Sequence, residues 1–194
     1  MSLYSYNTIA APSTDRYTVK ASKFYGYAFP VDSEAAIKEA LVEVNELHPK
    51  ARHHCYAWRL GLDKNLYRVN DAGEPSGSAG RPILNQIDSA QLTNILVVVV
   101  RYFGGTKLGI PGLIKAYKLT TNLSLDAAEI VTKIIQSSIE LKLPYDKVNV
   151  FHQQANKLPI TLLSERFSST HAYFEISFPK SDEALVQSRF KEWI

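Results

Sequence analysis

Cysteine is almost missing from this chain. Cys55 is the one thiol in 194 residues, so no internal disulfide framework supports the fold. Long apolar runs are missing too: the longest, Ile95 to Val100, is far too short to span a bilayer. The opening stretch M-S-L-Y-S-Y-N-T lacks the basic start and apolar core of a secretory signal. These absences point to a cytoplasmic protein with no membrane partner. Strong charge of one sign is also absent. Twenty-two Lys and Arg against 19 Asp and Glu leave a net charge of +3, compatible with RNA or phosphate contacts without demanding them. No repeat or low-complexity segment appears. Glycine is absent from the last 82 residues, because seven of the nine glycines lie between Gly73 and Gly112.

What is present is an ordinary globular composition, 45% hydrophobic and 21% charged, long enough for one large domain or two small ones. Beyond a polar N-terminal tail, Arg16 to Val31 reads as one extended segment rich in aromatics. Ser33 to Leu47 is an amphipathic helix with Ser33 as N-cap, ended by His48-Pro49. His54 to Gly61 and Asn65 to Val69 read as a hairpin. Pro82 opens a short helix through Leu92. Asn94 to Tyr102 is a strand whose run I-L-V-V-V-V predicts burial on both faces. A helix from Gly112 to Glu129 follows.

The character changes near Val131. Thr132 to Leu143 reads as a strand and Tyr145 to Asn156 as a helix. Pro159 to Phe167 and Thr170 to Phe178 form a hairpin, and Ser181 caps a last helix to Trp193. The order β-α-β-β-α is a ferredoxin-like unit short of its final strand. The expected fold class is α+β, with domains at residues 1–130 and 131–194.

The chemistry concentrates in two glycine clusters, Asp71 to Pro82 and Arg101 to Gly112. In the second, a strand, a glycine-rich loop and a helix follow one another. A helix N-terminus suits an anion, and Gly104, Gly105, Gly109 and Gly112 let the backbone come close. Arg101, Lys107 and Lys115 add positive charge, as does Arg81 from the first cluster. The loop is not a Walker A motif, since Ile110-Pro111 stands where Lys and Ser/Thr belong. In the first cluster Asp71, Glu74, Ser76 and Ser78 are polar candidates beside His53. Paired carboxylates suit a metal ion or acid–base work, but such residues in glycine loops also serve as turn-formers. His53-His54-Cys55 brings at most two metal ligands to one strand face, too few for structural zinc. No metal, no cofactor and no catalytic residue is assigned.

The runs D-A-G-E-P-S-G-S-A-G-R-P-I-L and V-V-V-V-R-Y-F-G-G-T-K-L-G-I-P-G-L-I-K-A-Y resemble the signature of the YigZ/IMPACT family. S-K-F-Y-G-Y-A at Ser22 to Ala28 and H-P-K-A-R-H-H-C-Y-A at His48 to Ala57 fit its other blocks. The resemblance covers Tyr17 to Leu125. It implies an N-terminal domain of the ribosomal protein S5 domain 2-like fold. In bacterial members a ferredoxin-like domain follows, similar to the last domain of elongation factor G. Eukaryotic members of the family regulate translation. Against the family pattern, Ala72 replaces a usual aspartate, Ser78 a threonine, Pro111 a glycine and Lys115 an arginine.

The expected function is binding rather than catalysis, in regulation of translation. RNA, the ribosome or a translation-associated protein is the partner, held by the two glycine loops. Two alternatives remain open: an enzyme acting on a phosphorylated small molecule or nucleotide at the same loops, and a protein-interaction module. The last uses the sheet of the second domain; if that sheet lacks its final strand, its open edge is also a route to a partner chain or a homo-oligomer.

Overall fold

The computed structural model describes residues 4–63 and 65–194. They divide into two compact units, Tyr6–Thr132 and Lys133–Ile194, the latter joined by Tyr4 and Ser5. The protein is of the α+β class.

In chain order the first part carries β1 (Ser5–Ile9), β2 (Ser13–Val19), β3 (Ser22–Pro30), α1 (Glu34–Leu47), β4 (His53–Leu60) and β5 (Leu66–Asn70). Then come α2 (Gly80–Ser89), β6 (Ile95–Tyr102), α3 (Gly109–Asp126) and β7 (Ile130–Ile134). Five strands form an antiparallel sheet in the order β2-β3-β6-β4-β5, while β1 pairs with β7. Strand β6 is central, and its residues alternate between two cores. Ile95, Val97 and Val99 pack with Ile83, Leu84 and Ile87 of α2 and with Leu113 and Tyr117 of α3. Leu96, Val98 and Val100 pack with Ile37, Ala40 and Val44 of α1. All six β6 positions are buried, which is why the run is uninterrupted. Ser33 caps α1 through a bond from the Ala36 N–H, as its position predicts.

Four features of this part differ from the sequence expectation. The polar tail contains β1. The extended segment from Arg16 to Val31 is a hairpin, β2 and β3. Its turn uses Lys20 at φ 45° and Ala21 at φ 60°, a left-handed pair normally announced by Asn-Gly, so the sequence carries no turn signal. Helix α2 starts at Gly80, two residues before Pro82. Helix α3 starts at Gly109, so Gly109 and Gly112 belong to its first turn rather than to the loop.

The second unit carries β8 (Gln136–Pro144), α4 (Val148–Ala155), β9 (Thr161–Phe167), β10 (His171–Pro179) and α5 (Glu183–Phe190). Its antiparallel sheet has the order β8-β10-β9, the ferredoxin-like arrangement without a fourth strand among the described residues. The core is aromatic: Phe151 stacks on Phe174 at 4.4 Å and packs near Phe190. The outer edge of β8 is partly covered, because the Lys142 N–H donates to the Trp193 carbonyl at 2.7 Å. The strand expected from Thr132 to Leu143 is broken at Ile135, whose N–H donates to the Tyr4 carbonyl and whose carbonyl accepts from the Lys180 N–H. Ser181 lies in a short 3-10 turn, Lys180–Asp182, and does not cap α5. Among the described residues no helix is long and apolar enough to cross a membrane.

Candidate functional site

The end of β6 brings the two glycine clusters together. Strand register aligns Phe24 of β3, Arg101 of β6 and His53 of β4 in one row. The Arg101 guanidinium lies 5.6 Å from the ring centres of both Phe24 and Phe103. Its Nη1 donates to Glu74 Oε1 at 2.7 Å, with 7% and 4% of the two side chains exposed. The same carboxylate oxygen accepts from the Tyr117 hydroxyl of α3 at 2.9 Å. The Cys55 thiol lies 3.2 Å from that hydroxyl and 3.0 Å from the Asp71 carbonyl. Burial pushes the Cys55 thiol up to about 12, against the lowering effect of the Tyr117 hydrogen bond. Burial likewise drives the Tyr117 hydroxyl far above its ordinary value, and the neighbouring Cys55 and Glu74 add to the rise. Neither group ionises near neutrality, so this chain of side chains is a structural tie between clusters. One atom in it is left over: Arg101 Nε is buried and has no hydrogen-bond partner.

Asp71 is committed to the backbone. Its carboxylate accepts from the N–H groups of Gly77, Ala79 and Gly80 at 2.9–3.0 Å, which caps α2 from the preceding loop. Burial raises its pKa, but these three donors outweigh that and hold it below the ordinary value. Ser78 is buried and its hydroxyl donates to the Pro75 carbonyl at 2.6 Å. Ser76 is exposed. Two glycines answer to packing. A Cβ on Gly80 would stand 2.7 Å from the Asn70 nitrogen, and one on Gly104 would stand 2.0 Å from the Ala21 carbonyl carbon. Ala72, at the departure from the family pattern, holds a left-handed φ of 44°.

Beside this tie lies a cavity of about 470 Å³. Arg52 and His53 line it from the start of β4, Glu74 and Pro75 from the first cluster, and Phe103, Lys107 and Leu108 from the second. Arg101 and the first turn of α3, with Gly109, Ile110 and Leu113, complete it. The N-cap of α3 is Leu108, whose apolar side chain makes no capping hydrogen bond. His53 Nδ1 donates to the Ala72 carbonyl at 2.9 Å, which leaves the neutral ring's Nε2 as an acceptor. Arg52 and Lys107 are exposed cations on its rim. The arrangement suits an anion with an apolar neighbour.

Of the residues singled out in the sequence, His53, Glu74, Arg101, Lys107 and Gly109 meet at this cavity. Asp71 and Ser78 hold the loop behind it. Arg81 is exposed on α2 with its guanidinium 5.7 Å from the Tyr67 ring, Lys115 is exposed on α3, and neither lines the cavity. Gly104, Gly105, Gly112 and Ser76 do not line it either. Sequence reasoning missed Arg52, Phe103 and the polar role of Tyr117. The signal for Arg52 was its place in the block H-P-K-A-R-H-H, one residue before His53. Tyr117 fits the apolar face of α3, and nothing in its spacing announces a hydrogen bond to Glu74. Among the described residues no three His, Cys, Asp or Glu side chains gather as metal ligands.

Both signature loops thus face one cavity, and residues 20–125, more than half of the chain, match the family model described as the Impact N-terminal domain. The chain belongs to the IMPACT family. It is 28% identical to the IMPACT family member YvyE of Bacillus subtilis over 192 residues, 99% of this chain and 86% of that one. That span takes in both units, the bacterial two-domain type. It is 42% identical to the IMPACT family member YigZ of Escherichia coli over 118 residues, 60% of this chain and 58% of that one. A crystal structure of a hypothetical protein matches with a TM-score of 0.79 and 28% identity, covering 98% of this chain and 93% of the other. All the residues that line the cavity, Arg52 and Lys107 included, fall within the matched residues 20–125.

Proposed function

We propose that this IMPACT family member is a translation-linked regulatory protein that binds its target through the cavity between the two glycine clusters, with a phosphate group of RNA as the anion held there. Family membership supports the link to translation, and cytoplasmic location is part of the same reading. The observation that carries the binding site is the convergence of Arg52, Lys107, Arg101 and the uncapped start of α3 on one cavity. The carboxylates favour binding over catalysis: Asp71 is spent on three backbone N–H groups, and Glu74 on Arg101 and Tyr117.

Arg101 is a poor residue for testing this. Removing one partner of a buried ion pair costs about 3–5 kcal/mol, so a loss of binding would report on folding. Arg52 and Lys107 are exposed and free of that objection. Binding of single-stranded RNA by the full chain should weaken linearly in log–log form with salt. Each lost phosphate contact should reduce the slope by about 0.7. The double change Arg52→Ala with Lys107→Ala should therefore lower the slope by about 1.4. An unchanged slope, or no RNA binding at low salt, contradicts the reading.

A second reading, an enzyme acting on a phosphorylated small molecule or nucleotide, is favoured by one observation. His53 stands in the same cavity with a fixed tautomer and Nε2 free to accept a proton. Phosphate release from nucleotides that is abolished by His53→Gln would establish it, and its absence leaves the binding reading in place.

A further inference from the structure

Phe103 is 57% exposed at the point where the chain leaves β6, and it lines two recesses at once. One is the anion cavity on the α3 face. The other, about 490 Å³, opens on the α1 face and is lined by Ala21, Lys23, Tyr25, His48, Tyr102 and Phe103. Its walls are rings held in fixed positions. Tyr25 meets Tyr102 edge-on at 5.9 Å, and His48 packs on Tyr25 at 5.1 Å. The His48 ring is bonded at both nitrogens, Nε2 to the Tyr27 hydroxyl at 2.6 Å and Nδ1 to the Tyr102 hydroxyl at 3.0 Å. Rings locked by hydrogen bonds lose little freedom when a flat ligand packs on them.

We propose that Phe103 joins the two recesses into one track for single-stranded RNA, resting on the reading of the loop cavity as a phosphate site. A phosphate occupies the cavity at the start of α3, where Arg101, 94% buried and with its Nε unpartnered, is one of the lining residues. The adjoining base stacks on Phe103, and the next base enters the recess of Tyr25 and Tyr102 beside Lys23. Charge complementarity selects the ligand. Lys23, Arg52 and Lys107 flank the aromatic rings along this path, the alternation of cations and π-faces that fits a single strand. A duplex buries its base faces and offers none to Phe103.

The test uses the full chain and a fluorescein-labelled oligouridylate of about ten nucleotides, a length within the usual site size. Phe103→Ala changes an exposed side chain, and circular dichroism checks that the fold is kept. Loss of one stacked base should weaken binding roughly 5- to 100-fold and leave the salt slope unchanged. Phe103→Tyr should retain the affinity, and the same sequence as a duplex should bind more weakly. Equal affinity of wild type and Phe103→Ala, or a preference for the duplex, overturns the track. If the Arg52→Ala, Lys107→Ala variant still loses salt dependence while Phe103→Ala binds normally, the track falls and the phosphate site stands. If a protein partner binds with Phe103→Ala unchanged and RNA does not bind at all, both fall.

Discussion

Glu74 shows at the residue scale why the signature of this family is not a list of ligands. The carboxylate is nearly sealed from solvent and answers to Arg101 and Tyr117 through one oxygen. It belongs to the first glycine cluster, Arg101 to the second, so the pair fastens one loop to the other. A buried ion pair gains little net stability over apolar residues, but losing one partner leaves an uncompensated charge. Glu74→Ala is therefore expected to lower unfolding free energy by about 3–5 kcal/mol in urea titrations, with Glu74→Gln costing less because the Tyr117 bond survives. A change below 1 kcal/mol in Glu74→Ala would show that the pair is solvated. Cys55 behaves as a buried packing residue, since its pKa of about 12 keeps the thiol protonated.

At the scale of elements, the end of α1 and the adjoining strands hold two half-buried histidines, His48 and His54. Burial lowers the pKa of His48 and, as the largest effect, that of His54. A histidine whose folded pKa is depressed contributes stability that is complete above its unfolded value near 6.5. That contribution is lost as pH falls from there through the folded value. The melting temperature should fall as pH is taken below about 6.5, and His48→Gln should flatten the slope of that fall. A melting temperature that rises with acid would contradict this. Much at this scale was legible in the sequence. The α1 cap, the doubly buried β6 and the β-α-β-β-α order all follow from period and capping residues. The β2–β3 turn was not, because Lys20-Ala21 lacks turn chemistry and its left-handed backbone is imposed by the sheet around it. The start of α3 was misplaced by three residues because Gly109 and Pro111 look like loop residues, although proline is well tolerated in a first helical turn.

At the scale of the molecule, two units with separate cores accompany a small net charge, so any anion preference has to come from local arrangement rather than overall field. The sequence singled out both loops but not Arg52, which reaches the cavity because it precedes His53, the β4 residue paired with Arg101 48 positions away. Asp71 looked like a ligand and is a cap, a distinction that depends on N–H directions no spacing rule reports. In the proposed function the two glycine clusters close one anion site at the start of α3. The most direct measurement is a crystal structure of the full chain grown with inorganic phosphate. Phosphate density is expected within hydrogen-bond reach of the Gly109 or Ile110 N–H and of Arg52 or Lys107. An empty cavity, with phosphate only on scattered surface lysines, would contradict it.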